Sequence, residues 1–284
     1  MLRRIAKLMR EPAFRENPAA VIGRAFSLSL AVARGTSPVF ELVSGGAKLR
    51  VPADLRYTSV SSYLLRDAVE PELRYLQKFI GPGDVFVDVG ANIGRFSLKA
   101  APMASRVISV EPGADAGRQL EANIALNGYG HVSVVRKALS DKPGRAVLFH
   151  NPLGYDPQAF SLLSDGSGSG SEAVELTTLD LLAEELGLPR VDCIKIDVEG
   201  AEGAVIAGAS HTLAKDHPTV IFEMNCPTLQ KAGGDAAGAW NALADLGYRF
   251  FEIEDDGGLT PLATRPTQFC NIVARHPQSP SLRS

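Results

Sequence analysis

No run of apolar residues in this chain of 284 approaches the ~20 that a membrane-spanning helix needs. No apolar h-region follows the basic start, so no secretory signal peptide is expected. Cysteine is scarce. The three thiols, Cys193, Cys226 and Cys270, fall in or beside apolar runs and share no metal-ligand spacing. An odd, scattered set argues against a disulfide framework and for buried thiols in a reducing compartment, so a cytoplasmic location is expected. Histidine forms no ligand pattern either: His131, His150, His211, His217 and His276 are scattered. An excess of basic charge is also missing. Lys and Arg number 29 against 32 Asp and Glu, a net charge of −3. That balance argues against a protein that covers much nucleic-acid backbone. What remains is an ordinary globular composition, long enough for one α/β domain of the usual size plus an extension.

The chain is organised around VFVDVGANIGRFSLKAA, residues 85–101. An apolar, β-rich run carries Asp88 near its end. A glycine-rich turn follows, Gly90-Ala91-Asn92-Ile93-Gly94, and then Ile93, Phe96, Ala100 and Met103 recur at helical spacing. This predicts a buried strand, a tight turn and a helix opening at the turn. In an open parallel sheet such a first turn is where a nucleotide-like cofactor sits. Glycines let the backbone approach a ligand without a Cβ in the way, and free N–H groups of the helix start then face it. A ligand-free glycine turn is the alternative. VISVEP, residues 107–112, is a second apolar run ending in Glu111 and Pro112. An acid at the tip of the second strand, about 20 residues on, is placed to accept hydrogen bonds from ribose hydroxyls.

The dinucleotide fingerprint G-x-G-x-x-G is absent. Gly90-x-x-x-Gly94 preceded by Asp88 instead resembles the first motif of S-adenosylmethionine-dependent methyltransferases. DVGANIG, VEPGADAGRQLEANIALNG, TTLD, IKIDVEGAE and VIFEMN then follow in order over roughly residues 60–275. Together they resemble the FkbM-type methyltransferases, with IKIDVEGAE the most specific part. The resemblance implies a class I methyltransferase (Rossmann-like) fold of α/β class. That is a mostly parallel seven-stranded sheet with helices on both faces and, here, an N-terminal helical and hairpin extension. It implies S-adenosyl-L-methionine as methyl donor. It also implies O-methylation of a small-molecule or glycan hydroxyl, on a carbohydrate or secondary metabolite. A nicotinamide-dependent oxidoreductase and a cofactor-binding protein without transfer activity are the alternatives.

The expected organisation is an N-terminal extension over 1–58, a methyltransferase domain over 59–275 and a tail over 276–284. Residues 1–35 are basic, and Leu2, Ile5 and Met9 share one helical face that Pro12 is expected to end. Such a helix can rest on an anionic membrane surface. Its narrow apolar face favours packing on its own domain or on a second subunit. FELVSGGAKLRV, 40–51, predicts a hairpin. Residues 60–80 read as helical, with Glu70 just before Pro71 at a helix start. The family pattern sets an acid there, near the methionine end of the cofactor, which carries over to Glu70.

Strands are expected at 84–89, 106–111 and 132–137, with helices at 92–103 and 115–127, the second capped by Asp115 and ended by Gly128. In such folds the backbone after the third strand meets the adenine, so Ala138 and Leu139 are candidate contacts. The cofactor set is therefore Glu70, Asp88, Gly90, Asn92, Ile93, Gly94, Glu111, Pro112, Ala138, Leu139 and Asp197. Residues 145–150 predict an extra strand. The stretch 151–172, with its SDGSGSGS run, predicts a mobile lid over the acceptor. NPLGY, 151–155, echoes the Asn-Pro-Pro-aromatic motif of amino-methylating enzymes but lacks the second proline and reads as a turn. Thr178 or Asp180 is expected to cap the next helix.

In VDCIKIDVEG, 191–200, Lys195, Asp197 and Glu199 share one face by the two-residue period. Three charges on a central apolar strand make sense only at its carboxyl end, in the ligand crevice. TVIFEMN, 219–225, brings Glu223 beside them. Asp197 is the expected base or acceptor-orienting residue, Glu223 the second choice, and Lys195 the group that holds a carboxylate ionised or steadies a developing alkoxide. An oxygen-ligand cation at Asp197, Glu199 and Glu223 is conceivable, but no signature requires one and none is expected. The last strands are expected at 248–254 and 268–274, linked by Asp255-Asp256-Gly257-Gly258.

Overall fold

The computed structural model describes residues 11–53, 57–150, 160–161, 171–198, 200–224 and 237–283. The helix expected before Pro12 lies outside them. Two helices open the described chain, α1 (Pro12–Glu16) and α2 (Pro18–Ala33), each with proline in the first turn. There the missing N–H is no loss, and Pro12 begins a helix. The expected hairpin is present as antiparallel β1 (Val39–Glu41) and β2 (Lys48–Arg50).

The 60–80 stretch is not one helix. It breaks into α3 (Tyr57–Leu65), a 3₁₀ turn (Arg66–Val69), α4 (Pro71–Arg74) and a second 3₁₀ turn (Leu76–Lys78). Pro71 is the cause: proline disfavours helical backbone in the residue before it, and Glu70 is extended at φ −144°, ψ 138°.

The core then alternates strand and helix through β3 (Val85–Val89), α5 (Arg95–Ala100), β4 (Arg106–Val110), α6 (Ala114–Asn127) and β5 (Val132–Val135). The N-cap of α6 is Gly113. Asp115 lies inside the first turn, where it pairs with Arg118. A smaller sheet follows, built from β6 (Ala138–Leu139), β7 (Gly144–His150), β8 (Phe160–Ser161) and β9 (Ser171–Thr177). The stretch expected to be one long loop is therefore interrupted by strand pairing, Phe149 to Ser161 and His150 to Phe160. The rest of the expected lid, 151–159 and 162–170, lies outside the described residues.

Next come α7 (Leu179–Glu185), β10 (Cys193–Ile196), α8 (Glu202–Ala207), α9 (Ser210–Asp216), β11 (Thr219–Met224), α10 (Gly238–Asp245), β12 (Arg249–Ile253), β13 (Leu259–Leu262) and β14 (Cys270–Arg275). Thr178 caps α7 by accepting the Leu181 N–H at 3.1 Å. Asp180 instead caps the more distant α9, accepting the His211 and Thr212 N–H groups at 2.9 and 2.8 Å.

The main sheet runs β13-β12-β14-β11-β10-β3-β4-β5. The five strands from β11 to β5 are parallel, and β14 is antiparallel to both neighbours. It has eight strands rather than the expected seven. After Asp255–Gly258 the chain turns back as β13 on β12 before reaching β14.

Both faces of the sheet are covered. Val85, Val87 and Val89 join one apolar cluster with Leu179, Val205 and Leu243, while Phe86 joins another with Leu73, Leu76 and Phe79. Alternate residues of a strand point to opposite faces, so a run apolar at every position is what a doubly covered strand requires. The N-terminal elements share a third cluster with Ile93 and Leu120 of the core, through Val21, Leu28, Phe40 and Leu49. Among the described residues no helix is long and apolar enough to cross a membrane.

Candidate active site

The turn after β3 forms the floor of the crevice. Gly90, Asn92 and Gly94 all have positive φ, at 81°, 50° and 96°. The reason Gly90 must be glycine differs from the expected one. A Cβ there would lie 1.9 Å from the carbonyl oxygen of Asp197, so the missing side chain makes room for the end of β10, not for a ligand. At Gly94 a Cβ would lie 2.7 Å from Leu120 Cδ1, where α6 packs on the turn. Ile93 is fully buried and its side chain belongs to the core, which leaves only its backbone to the crevice.

Asp88 sits beneath the turn. One of its carboxylate oxygens accepts both the backbone N–H and the hydroxyl of Ser97, at 2.9 and 2.5 Å, which ties α5 to β3. Burial pushes its carboxyl up to about 6, partly offset by Ser97.

Glu111 lies at the tip of β4, 5% exposed. Oε2 accepts the Asn92 N–H at 2.8 Å and Oε1 the Gly113 N–H at 2.7 Å. The carboxylate thus joins the glycine turn to the loop before α6. Each oxygen keeps a second lone pair. Burial pushes this carboxyl up to about 7, against the two N–H groups that favour its ionised form. Pro112 is half-buried beside it. Two groups the sequence reading missed hold this loop. Arg136 donates to the Gly113 and Ala114 carbonyls at 2.9 and 3.1 Å, and Glu172 of β9 accepts the Ala114 N–H. Ala138 and Leu139 are buried in the β6–β9 pairing.

The second half of the crevice is a cluster of charge. Lys195 is 1% exposed in the middle of the sheet. Its Nζ lies 3.8 Å from Glu72 and 5.1 Å from the centre of the Phe96 ring. Among the described residues it has no hydrogen-bond partner. Burial alone would lower its pKa. The charges of Asp197, Glu223, Glu72 and Glu70 outweigh burial and hold the ammonium above the ordinary lysine value. Ile196 pairs with Phe222 across β10 and β11, so the register carried one residue further sets Asp197 beside Glu223. Glu223 is pushed up to about 9, first by the Asp197 charge and then by burial. Burial beside the negative charge of Asp197 thus favours the protonated form of Glu223. Glu70 pairs with Arg95 at 3.1 Å. Glu72, fully buried, accepts from Asn271 of β14 at 3.0 Å and is pushed up to about 7 by burial, against the Lys195 charge.

Of the three charges expected on one strand face, Lys195 and Asp197 belong to this cluster, and Glu199 lies outside the described residues. Glu70, Glu72 and Glu223 bring carboxylate oxygens within 4.8 Å of one another, a different acidic trio from the one considered from sequence. Glu72 and Asn271 were missed altogether. An acid set among apolar Leu73 and Leu76 was the available signal for Glu72; nothing local marked Asn271.

Five parallel strands with the glycine turn after the central one, and an antiparallel strand inserted between β11 and β12, define a class I methyltransferase fold. The chain belongs to the FkbM methyltransferase family: the model described as the methyltransferase FkbM domain matches residues 88–250. The chain is 32% identical over 154 residues to the 2-O-methyltransferase NoeI of Sinorhizobium fredii, covering 47% of this chain and 60% of that one. It is 29% identical over 141 residues to the hexuronic acid methyltransferase AglP of Haloferax volcanii, covering 50% and 56%. A 215-residue match at 30% identity to the AMB antimetabolite synthetase AmbE of Pseudomonas aeruginosa covers 61% of this chain and 10% of that one. The chain thus spans less than two thirds of the length of each of these relatives. The crystal structure of a methyltransferase FkbM from Methylobacillus flagellatus aligns with a TM-score of 0.46 and 14% identity, over 76% of this chain and 53% of that one.

Proposed function

We propose that this chain transfers a methyl group from S-adenosylmethionine to a hydroxyl of a carbohydrate or secondary metabolite. The observation that carries the reading is the cluster of Lys195, Asp197 and Glu223 at adjacent strand tips, next to the glycine turn and Glu111. The residues present fit the cofactor. The turn from Gly90 to Gly94 and Glu111 form a cradle against which a nucleoside can lie, with Pro112, Ala138 and Leu139 along its side. Glu70 carries a buried oxygen, Oε2, with no hydrogen-bond partner among the described residues, which suits the amino-acid end. Bound there, the cofactor supplies an activated methyl group.

The chain's own residues then have three tasks. They align the acceptor, which is the main requirement for displacement at an already activated carbon. They take the hydroxyl proton, because an alcohol is a poor nucleophile until its proton is leaving. And they hold the charges steady while this happens. Glu223, pushed up to about 9, is protonated at neutral pH and can donate a hydrogen bond to the acceptor oxygen. Asp197, whose charge raises Glu223, is the carboxylate left to accept the proton. Lys195, 3.8 Å from Glu72, offsets the negative charge gathered around them. NoeI is a 2-O-methyltransferase and AglP a hexuronic acid methyltransferase, which supports a hydroxyl acceptor and a carbohydrate, and the absent G-x-G-x-x-G spacing disfavours a nicotinamide.

Labelled methyl transfer to a panel of hydroxyl compounds tests the reading. Asp197→Asn is expected to lower turnover by about 10²-fold, with affinity for S-adenosylhomocysteine changed by much less. Near-normal turnover in Asp197→Asn would remove the base role. Tight NAD binding without S-adenosylhomocysteine binding would overturn the cofactor assignment. Cofactor binding with no transfer to any hydroxyl acceptor would favour a binding protein of the same fold.

A further inference from the structure

A cavity of about 660 Å³ lies between α2, the β1–β2 hairpin and the turn after α3, and none of its lining residues belongs to the strand-tip cluster. Three carboxylates line it, and each is engaged. Glu16 makes a two-pronged pair with Arg74 at 2.8 and 3.0 Å, Asp67 pairs with Lys99 at 2.7 Å, and Glu41 accepts the Gly45 N–H at 2.9 Å. Two further guanidinium groups line the cavity, Arg24 and Arg66. Among the described residues neither has a carboxylate within ion-pair distance.

Arg24 donates Nη1 to the Leu64 carbonyl at 2.8 Å. The Arg66 guanidinium is stacked in place, 3.9 Å from the Phe40 ring centre and 4.7 Å from that of Tyr63. Its Nη1 is buried with no hydrogen-bond partner among the described residues. The Arg66 backbone is left-handed, at φ 61°, which is costly for a side chain of this size. Burial, and then the neighbouring Arg24 charge, lower its pKa to about 10.

Arg66 therefore combines a strained backbone, a buried donor lacking an acceptor and a like charge beside it. Any one of these is unfavourable. A bound anion would relieve the last two together. The planar fork of arginine matches the paired oxygens of a carboxylate or phosphate.

We propose that Arg24 and Arg66 form an anion site that takes the phosphate or carboxylate group of a small molecule. The turn that begins at Arg66 runs straight into Glu70 and Glu72, so an anion held there braces the segment that carries two of the crevice acids.

The test is calorimetric titration of the full chain, in low-chloride buffer, with inorganic phosphate and separately with glucuronate. Saturable binding of at least one is expected, and the stronger arm distinguishes a phosphate from a carboxylate source. Arg24→Gln and Arg66→Gln should each weaken it by about tenfold or more, the loss of one charge-assisted hydrogen bond, with thermal unfolding near that of the parent. If the strained Arg66 position makes its variant unfold, Arg24→Gln alone carries the test. No saturation with either anion, or unchanged affinity in Arg24→Gln, would overturn the site. Neither arm needs the methyl donor, so failure of the methyltransferase reading leaves this test standing.

Discussion

Lys195→Met removes the one ammonium from the middle of the sheet while keeping a chain of similar length. The consequence depends on pH. In the parent protein Glu72 and Glu223 are raised from 4.5 to about 7 and about 9. A carboxyl whose folded value lies above its unfolded one contributes stability below the unfolded value. It loses that contribution as pH rises through the folded one. Stability attributable to these two groups therefore declines from about pH 4.5, through about 7 for Glu72 and about 9 for Glu223. Without the ammonium both carboxyls rise further and the decline steepens. Breaking one side of a buried ion pair costs about 3–5 kcal/mol, and Lys195 at 1% exposure has no solvent screening to discount. The full loss is expected near pH 8.5. Near pH 5.5 Glu72 and Glu223 are protonated and the loss should shrink by more than half, because each tenfold change in a proton equilibrium is worth about 1.4 kcal/mol. Urea unfolding without cofactor measures it. Trp240, the single tryptophan, stacks on Phe250 at 3.7 Å and reports the core. An equal loss at the two pH values, or one under about 1 kcal/mol at the higher, would refute the account of Lys195 as the counter-charge of the cluster.

Two further outcomes follow from the cradle. Glu111→Ala should weaken S-adenosylhomocysteine by about 1.5–3 kcal/mol in calorimetry, the scale for hydrogen bonds to a charged group. In the parent, affinity should fall as pH drops through about 7, because protonation of Glu111 removes the ionised acceptor that ribose hydroxyls would favour; a flat pH profile would detach Glu111 from the ribose. Gly90→Ala puts a Cβ at φ 81° and 1.9 Å from the Asp197 carbonyl. It should cost more than about 2 kcal/mol in thermal unfolding, and an unchanged melting temperature would show that the β3 turn and the end of β10 are not in the contact described.

The glycine turn, Glu111 and the Asp197–Glu223 pair were legible in the sequence because each is written locally. An apolar run, a turn residue and an acid at the strand end lie within a few residues of one another, and strand period tells which side chains share a face. Pro71 was equally visible, yet 60–80 read as helical and the structure breaks it there. Other features depend on residues far apart in the chain. Glu72 meets Lys195 and Asn271, the latter 199 residues away, only because the sheet brings β14 alongside β11. The eighth strand required the turn at Asp255–Gly258 to fold back on β12, where the sequence allowed it to lead onward. Asp88 carried the right residue type in the right place, yet its carboxylate is spent on Ser97, and which way a buried acid turns is settled by its packing partners. The same holds for Gly90, whose missing side chain makes room for a backbone more than 100 residues further on. By itself the sequence determined the alternation of strand and helix, the cradle turn and the acids at the strand tips, since those follow from local periodicity and turn chemistry. Only the tertiary structure decided which of those charges face one another, which are neutralised and which are pushed from their ordinary pKa, since burial and distance exist only once the sheet has formed.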